Sequence, residues 1–176
     1  MPQSEFNNWL SSNFDKEDWG LELGGIGGHL EVLGIGGTAV SLGDGRTIQQ
    51  KIKDMELDIH VRSGNLLLGE CWRELENEKF KRQRGPKIII SYPVGGWNLI
   101  PLHQVFYEKL FLNAFNILES GGMLFTTTGS YFKVHKYSGW DEWDRYFDLM
   151  ARKYDFSYRV TRKSELGSRA LMILKN

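Results

Sequence analysis

Ten of the twenty glycines in this 176-residue chain fall within residues 20–45, next to two carboxylates that could contribute to a ligand site. Glu22 stands just before the run Gly24-Gly25-Ile26-Gly27-Gly28, and Asp44 stands just before the end of the stretch. A glycine inside a regular element costs roughly 0.5–1 kcal/mol relative to alanine. Packing alone therefore does not explain this density, and we expect the backbone here to approach a ligand closely.

Three foldings of this stretch are open. In the first, residues 20–23 end a strand, residues 24–28 form a loop, residues 29–33 begin a helix, and residues 38–42 form a second strand that leads to Asp44. Glu22 and Asp44 then lie at the ends of neighbouring strands, with the tightest bend of the chain between them.

In the second, residues 30–33 form the strand and residues 34–39 form a loop that satisfies the dinucleotide pattern G-x-G-x-x-G/A. That pattern needs an acid about twenty residues further on to hold a ribose. The acids near this spacing are Asp54, Glu56 and Asp58. In the third, the near-repeat LELGGIGG and LEVLGIGG forms an isolated hairpin, with no helix at residues 29–33.

Composition indicates one ordinary globular domain over residues 1–176, with residues 1–18 as an N-terminal helical cap. Lysine and arginine together number 22, as do aspartate and glutamate, so a strongly basic nucleic-acid footprint is absent. The single cysteine, Cys71, excludes an internal disulfide and a cysteine-clustered zinc site, and we predict no metal. No apolar run is long enough for a membrane helix and no secretion signal is visible, so a cytoplasmic location is the default.

Helical and strand patterns alternate along the whole chain. We predict helices at residues 4–14, 48–55, 69–84, 102–119 and 141–154, and further strands at 57–61, 87–91, 123–128, 156–161 and 169–174. The first helix is expected to cover one side of the sheet, and Trp72, Leu75 and Phe80 of the 69–84 helix are expected to face inward. Alternation of this kind implies an α/β domain with a mainly parallel sheet, and the closing hairpin implies one antiparallel edge strand.

In the first folding, this order resembles the class I S-adenosylmethionine-dependent methyltransferases over residues 19–176. The acid and glycines of residues 22–28 are similar to the first motif of that family, although Ile26 stands where the middle glycine is usual. Asp44 matches the acid that ends the second strand, Asn65 the polar residue after the third, and residues 117–124 the connection into the fifth. The resemblance implies a Rossmann-like three-layer sandwich with seven strands, and S-adenosylmethionine as the cofactor.

The resemblance also implies a role for each matching residue. Backbone N–H groups of residues 24–28 would meet the methionine carboxylate of the cofactor, and Asp44 would accept both ribose hydroxyls. Asn65 would bind the adenine edge. The implied cofactor residues are Glu22, Gly24, Gly25, Gly27, Gly28, Asp44, Asn65 and Ser91. Each has a plainer explanation that stays open: the glycines as tight turns, and Asp44 and Asn65 as turn residues.

The acceptor end is less defined by the sequence. Methyl transfer is a direct displacement that depends mainly on alignment, so the catalytic candidates are no more than Tyr92, His103 and His135. Aromatic residues in the loops after the fourth and fifth strands could hold a flat or apolar acceptor. The candidate acceptor contacts are Tyr92, Trp97, Tyr131 and Trp140. Residues 91–94, SYPV, share only Pro93 with the N-P-P-Y-like motif, so transfer to a nucleobase amine is not supported.

Two alternatives of other classes follow from the same residues. Ile26 and the weak SYPV match favour a methyltransferase-like fold that has lost catalysis and acts as a binding or interaction module. The second folding favours an NAD(P)-dependent oxidoreductase, with Arg62 and Ser63 near the cofactor phosphate. The sequence does not identify the methyl acceptor, which could be a small molecule, RNA or protein. It indicates no membrane partner and does not define the oligomeric state.

Overall fold

The structure is a computed structural model that describes residues 3–91, 104–128, 140–160 and 169–176. Within these residues, helices and strands alternate along the chain. In order, they are α1 (Gln3–Asn13), β1 (Gly20–Leu23), α2 (Gly28–Leu33), β2 (Gly37–Ser41), α3 (Ile48–Glu56), β3 (Ile59–Ser63), α4 (Gly69–Arg82), β4 (Ile88–Ser91), α5 (Gln104–Ile117), β5 (Met123–Thr128), α6 (Trp140–Tyr154), β6 (Phe156–Val160) and β7 (Arg169–Lys175).

The strands form one seven-stranded sheet in the order β3-β2-β1-β4-β5-β7-β6. Strands β1 to β5 are mutually parallel, while β7 pairs antiparallel with both β5 and β6. The predicted fold class is confirmed, and the predicted antiparallel strand is β7, which lies one position inside the edge formed by β6. Because the chain passes from β3 on one side of β1 to β4 on the other, the strand order reverses between β1 and β4.

Each face of the sheet carries its own apolar cluster. Isoleucines of β4 divide between the two clusters, with Ile89 in one and Ile88 and Ile90 in the other. This division confirms that β4 is buried on both faces, as its unbroken apolar sequence predicts. Trp9 and Leu10 of α1 pack against the smaller cluster, so α1 covers one face of the sheet as expected.

The glycine stretch adopts the first of the three foldings. Residues 30–33, the strand of the dinucleotide folding, lie in α2, and β2 starts at Gly37 inside the loop which that folding requires. The dinucleotide folding is therefore wrong. The hairpin is also wrong, because β1 and β2 are parallel and α2 connects them.

Two boundaries differ from the sequence prediction because residues leave the helical or extended conformation. Asp58 has a φ of 56°, so β3 begins at Ile59 instead of residue 57. Gln83 has a φ of 59° and ends α4 at Arg82. Both are left-handed conformations that interrupt a regular element.

Four apolar residues, on two helices, face solvent where amphipathic patterning suggests burial. Phe80 is 83% exposed, so its predicted inward orientation is wrong, although Trp72 and Leu75 of the same helix are buried. The apolar stripe Ile48, Ile52 and Met55 of α3 is also exposed, and the buried residue of α3 is Asp54. Helix α3 thus turns a carboxylate toward the protein and an apolar face outward.

Candidate functional site

Glu22 lies inside β1, in register with Ala39 of β2 and Ile90 of β4, and is almost completely buried. Its carboxylate accepts hydrogen bonds from backbone N–H groups of the residues that follow the strand. Oε1 accepts from Gly27 at 3.3 Å, and Oε2 accepts from His29 at 2.9 Å and from Leu30 at 3.4 Å. Glu22 is therefore an internal support for the glycine loop and the first turn of α2, and does not emerge beside Asp44 at the tip of the sheet.

His29 contacts the same carboxylate from the exposed side of the loop. Its Nδ1 lies 3.4 Å from Glu22 Oε1, which is long for a hydrogen bond and is better described as an ion-pair contact. Burial acts to raise the pKa of Glu22, but the imidazole and the amides of His29 and Leu30 outweigh it and lower that pKa. The Glu22 carboxylate raises the pKa of His29 in turn, against an opposing effect of burial.

The glycine loop folds tightly over this carboxylate. A Cβ at Gly25 would overlap Glu22 Oε1, and Gly27 has a φ of 93°, a conformation that glycine adopts readily. At Gly28, by contrast, a Cβ would meet no atom of the described residues within 4 Å, so these residues leave this side of the loop open. The loop is closed on the side of Glu22 and accessible on the side of Gly28.

The loop amides divide into two groups. Gly24 N–H donates to Val40 O at 2.8 Å, and Gly27 N–H donates to Glu22. The N–H groups of Gly25, Ile26 and Gly28 make no hydrogen bond with the described part of the chain. The sequence predicted that the amides of residues 24–28 bind an anion. Of these amides, the N–H groups of Gly25, Ile26 and Gly28 are the ones available for it.

Asp44 lies three residues beyond the end of β2, in the loop that leads to α3. Its carboxylate is held by Arg46, with Nε 2.8 Å from Oδ1 and Nη2 2.9 Å from Oδ2. These hydrogen bonds lower the pKa of Asp44 well below its usual range. Asp44 is thus ionised, and Arg46 orients its carboxylate.

The other end of Arg46 reaches Asp54, whose side chain is buried on the inner face of α3. Arg46 Nη1 lies 2.8 Å from Asp54 Oδ2, and the two carboxylates raise the pKa of the guanidinium further. Sequence reasoning missed Arg46 in this role and considered Asp54 only for the dinucleotide folding. The available signal was an aspartate on the face of α3 opposite its apolar stripe.

Asn65 follows β3 and uses its side-chain oxygen locally. Asn65 Oδ1 accepts from Leu67 N–H at 3.0 Å, and Asn65 O accepts from Leu68 N–H at 2.9 Å, which together form a turn. These two hydrogen bonds give Asn65 the role of a turn residue, which was its plainer interpretation. Its side-chain NH₂ makes no hydrogen bond within the described ranges and is the group left to meet a ligand.

Ser91, the last residue of β4, lies in register with Leu23 of β1 and Thr126 of β5. It is fully buried, and its Oγ has no hydrogen-bond partner among the described residues. Because buried hydroxyls are usually hydrogen-bonded, Ser91 Oγ is a candidate for contact with a ligand at this edge.

Several predicted site residues lie outside the described ranges. These are Tyr92, Trp97, His103, Tyr131 and His135, while Trp140 begins α6 without a described side chain.

The described candidates follow four adjacent strands. Asn65 follows β3, Asp44 follows β2, the glycine loop follows β1, and Ser91 ends β4. Since these strands are parallel, all four positions belong to the carboxyl edge of the sheet. Ligands of open α/β sheets bind at this edge, where the strand order reverses.

A separate open groove of about 620 Å³ lies at the ends of α4 and α5. Its lysines are engaged by carbonyls of α5: Lys79 Nζ donates to Asn116 O, and Lys175 Nζ donates to Phe115 O and Leu118 O. This groove is therefore explained by helix termination. Within the described ranges, no group of three or more metal-binding side chains is present. None of the described helices is long and apolar enough to cross a membrane.

No protein-family model matches this sequence, and no curated protein matches it either. Solved structures, in contrast, match across nearly the whole chain. An rRNA methylase from Streptococcus thermophilus is 12% identical with a TM-score of 0.55, covering 99% of this chain and 96% of its own. The N-methyltransferase NodS from Bradyrhizobium japonicum is 13% identical with a TM-score of 0.56, covering 98% of this chain and 93% of its own.

The MycE methyltransferase of the mycinamycin biosynthetic pathway, solved in complex with Mg and SAH, is 12% identical with a TM-score of 0.60. The match covers 96% of this chain but 48% of MycE, so the chain corresponds to about half of that protein. At these identities the likeness concerns the fold, and it agrees with the strand order and the single reversed strand described above. This chain therefore has the fold of the class I S-adenosylmethionine-dependent methyltransferases.

Proposed function

We propose that this protein is an S-adenosylmethionine-dependent methyltransferase. The observation that carries the proposal is the glycine loop at the reversal of strand order, which is folded over the buried Glu22 carboxylate. Three of its amides make no hydrogen bond with the described residues. A loop of this kind presents backbone donors to an anionic group. The similarity of fold supports the same kind of activity.

Each described candidate has a role in holding the cofactor. The N–H groups of Gly25, Ile26 and Gly28 would bind the methionine carboxylate. The Asn65 side-chain NH₂ would donate to a nitrogen of the adenine, and Asp44 would accept from the ribose. Ser91 Oγ, buried at the end of β4, would hydrogen-bond the bound cofactor.

Bound S-adenosylmethionine supplies an electrophilic methyl group on a sulfonium. A lone pair of the acceptor would form a bond to the methyl carbon as the carbon–sulfur bond broke, and S-adenosylhomocysteine would be the leaving thioether. An acceptor O–H or N–H then loses its proton, for which Tyr92, His103 and His135 are the candidates. Acceptor binding is assigned to the aromatic residues Tyr92, Trp97, Tyr131 and Trp140. The chemical class of the acceptor stays open.

Isothermal titration with S-adenosylhomocysteine tests this function. We expect saturable binding, and we expect Asp44→Asn to weaken it roughly tenfold or more, as for loss of a hydrogen bond to a charged group. Glu56→Gln, which removes an exposed carboxylate from the neighbouring α3, is the matched control and should leave the affinity unchanged. A flat titration with folded wild-type protein would contradict the proposal.

A second candidate function is a methyltransferase-like fold that binds the cofactor without turnover. One observation favours it: Ile26 occupies the position usual for a glycine. Incubation of the protein with S-adenosyl[methyl-³H]methionine and fractionated cell extracts separates the two candidates. Label on any fraction would rule out the fold without turnover. Cofactor binding with no label on any fraction would support it.

A further inference from the structure

Arg46 connects the carboxylate proposed to bind the ribose with a carboxylate inside the protein. Three of its nitrogens point to the two acids at 2.8–2.9 Å, and its side chain is 13% exposed. The Asp54 side chain at the inner end is 3% exposed, while that of Asp44 at the outer end is 39% exposed. The arginine thus extends from a fixed internal anchor to a surface carboxylate.

The anchor Asp54 belongs to α3, which begins at Ile48, two residues after Arg46. Thr47 caps the helix in both directions, with Gln50 N–H donating to Thr47 Oγ1 at 3.2 Å and Thr47 N–H donating to Gln50 Oε1 at 2.8 Å. Such a capping box defines the path by which the chain enters a helix. Asp54 is also close to the glycine loop, since a Cβ at Gly27 would lie 3.7 Å from Asp54 Oδ1.

The geometry also limits what Asp44 has left to offer. An ionised carboxylate has about four acceptor positions. Arg46 takes three of them, because its backbone N–H, 3.1 Å from Oδ1, adds to the two side-chain contacts. Lys51 Nζ lies 3.5 Å from Asp44 Oδ2, too far to occupy the fourth acceptor position fully. Oδ2 is therefore the oxygen that can accept from a ligand.

We propose that Arg46 and Asp54 are positioning residues for the ribose of the cofactor. Asp54 anchors Arg46, and Arg46 fixes Asp44 so that Oδ2 accepts one ribose hydroxyl. This replaces the fork to both hydroxyls expected from the sequence with a single hydrogen bond, and it rests on the proposed cofactor function. The loop between β2 and α3, which has glycines on both sides of Asp44, acquires its order from this anchor.

Arg46→Lys separates positioning from folding. Lysine keeps a cation beside Asp54, but it cannot make the two-pronged contact with Asp44. We expect Arg46→Lys to weaken S-adenosylhomocysteine binding roughly tenfold, as for a lost charge-assisted contact, with the melting temperature retained. In an Asp44→Asn background the same change should have no further effect on affinity, because the carboxylate it positions is gone.

Arg84→Gln is the matched control. Arg84 is likewise held by several carboxylates, those of Asp15, Glu17 and Asp18, but it precedes β4 and so belongs to the opposite edge of the sheet. Its substitution should leave the affinity unchanged. Asp54→Asn should lower the affinity as Arg46→Lys does, measured alongside thermal melting.

Three results would overturn the inference. Tighter binding by Arg46→Lys would mean that the ribose competes with Arg46 for Asp44. An equal loss in the wild-type and Asp44→Asn backgrounds would mean that Arg46 acts on the fold and not on Asp44. If wild type binds normally and Arg46→Lys has unchanged affinity, Arg46 has no positioning role, but the proposed function stands. If wild type does not bind, both the positioning role and the proposed function are wrong.

Discussion

At the scale of single residues, the glycine loop is organised by a carboxylate beneath it. Glu22 accepts three backbone hydrogen bonds in a buried position, where leaving those donors without a partner would be costly. The importance of Glu22 and its spacing to the glycines could be predicted from the sequence. Its inward direction could not, because a strand residue next to a loop can point to either face. Arg46 was missed because the sequence does not show how the loop between β2 and α3 folds, and that fold lets Arg46 reach Asp44 and Asp54 together.

Gly25 and Gly28 provide a matched pair of substitutions. Gly25→Ala places a methyl group onto Glu22 Oε1, and we expect it to cost about 1–3 kcal/mol of unfolding free energy, as overpacking typically does. Gly28→Ala meets open space and should leave stability unchanged or slightly raised. Urea denaturation measures both. Equal stability of the two variants would contradict the loop geometry described here.

His29 is expected to make stability depend on pH near neutrality. Its pKa in the folded state is raised above the ordinary 6.5 by Glu22, so its contribution is fully present below 6.5 and is lost as pH rises through the higher folded value. His29→Gln should abolish this loss. Thermal melts at pH values on both sides of 6.5 provide the measurement, and a variant that retains the wild-type slope above 6.5 would show that another group titrates there.

At the scale of elements, α3 shows why local patterning is an incomplete guide. The stripe of Ile48, Ile52 and Met55 correctly predicts a helix, because apolar residues repeat with helical spacing. The same stripe does not show which face is buried, since the contacts of Arg46 and Asp54 turn the polar face inward. Phe80 fails for a similar reason. It lies in the last turn of α4, where exposure depends on neighbours distant in sequence.

Stability measurements on α3 distinguish its cap from its apolar stripe. Thr47→Ala removes one partner of the capping box and should destabilise the protein by about 1 kcal/mol. Met55→Ser changes a side chain that is 81% exposed and should stay within about 0.5 kcal/mol of wild type. If chemical denaturation shows that Met55→Ser costs more than Thr47→Ala, the apolar face of α3 is covered in solution.

At the scale of the whole molecule, strand order decides where a ligand can bind. The parallel strands, the buried isoleucines of β4 and the closing antiparallel pair could all be predicted from alternation and apolar runs. The order of the strands in space could not be derived from patterning and is known from the structure. That order brings the residues after β1, β2 and β3 to the same edge as the end of β4.

The central claim is that the glycine loop at this edge binds the carboxylate of the cofactor. Backbone ¹H–¹⁵N spectra recorded during titration with S-adenosylhomocysteine test it most directly, because each amide reports separately. We predict the largest shifts at the N–H groups of Gly25, Ile26 and Gly28, with Asp44 and Asn65 also affected. Saturable binding that leaves these amides unmoved, and shifts resonances near Lys79 and Lys175 instead, would contradict the account.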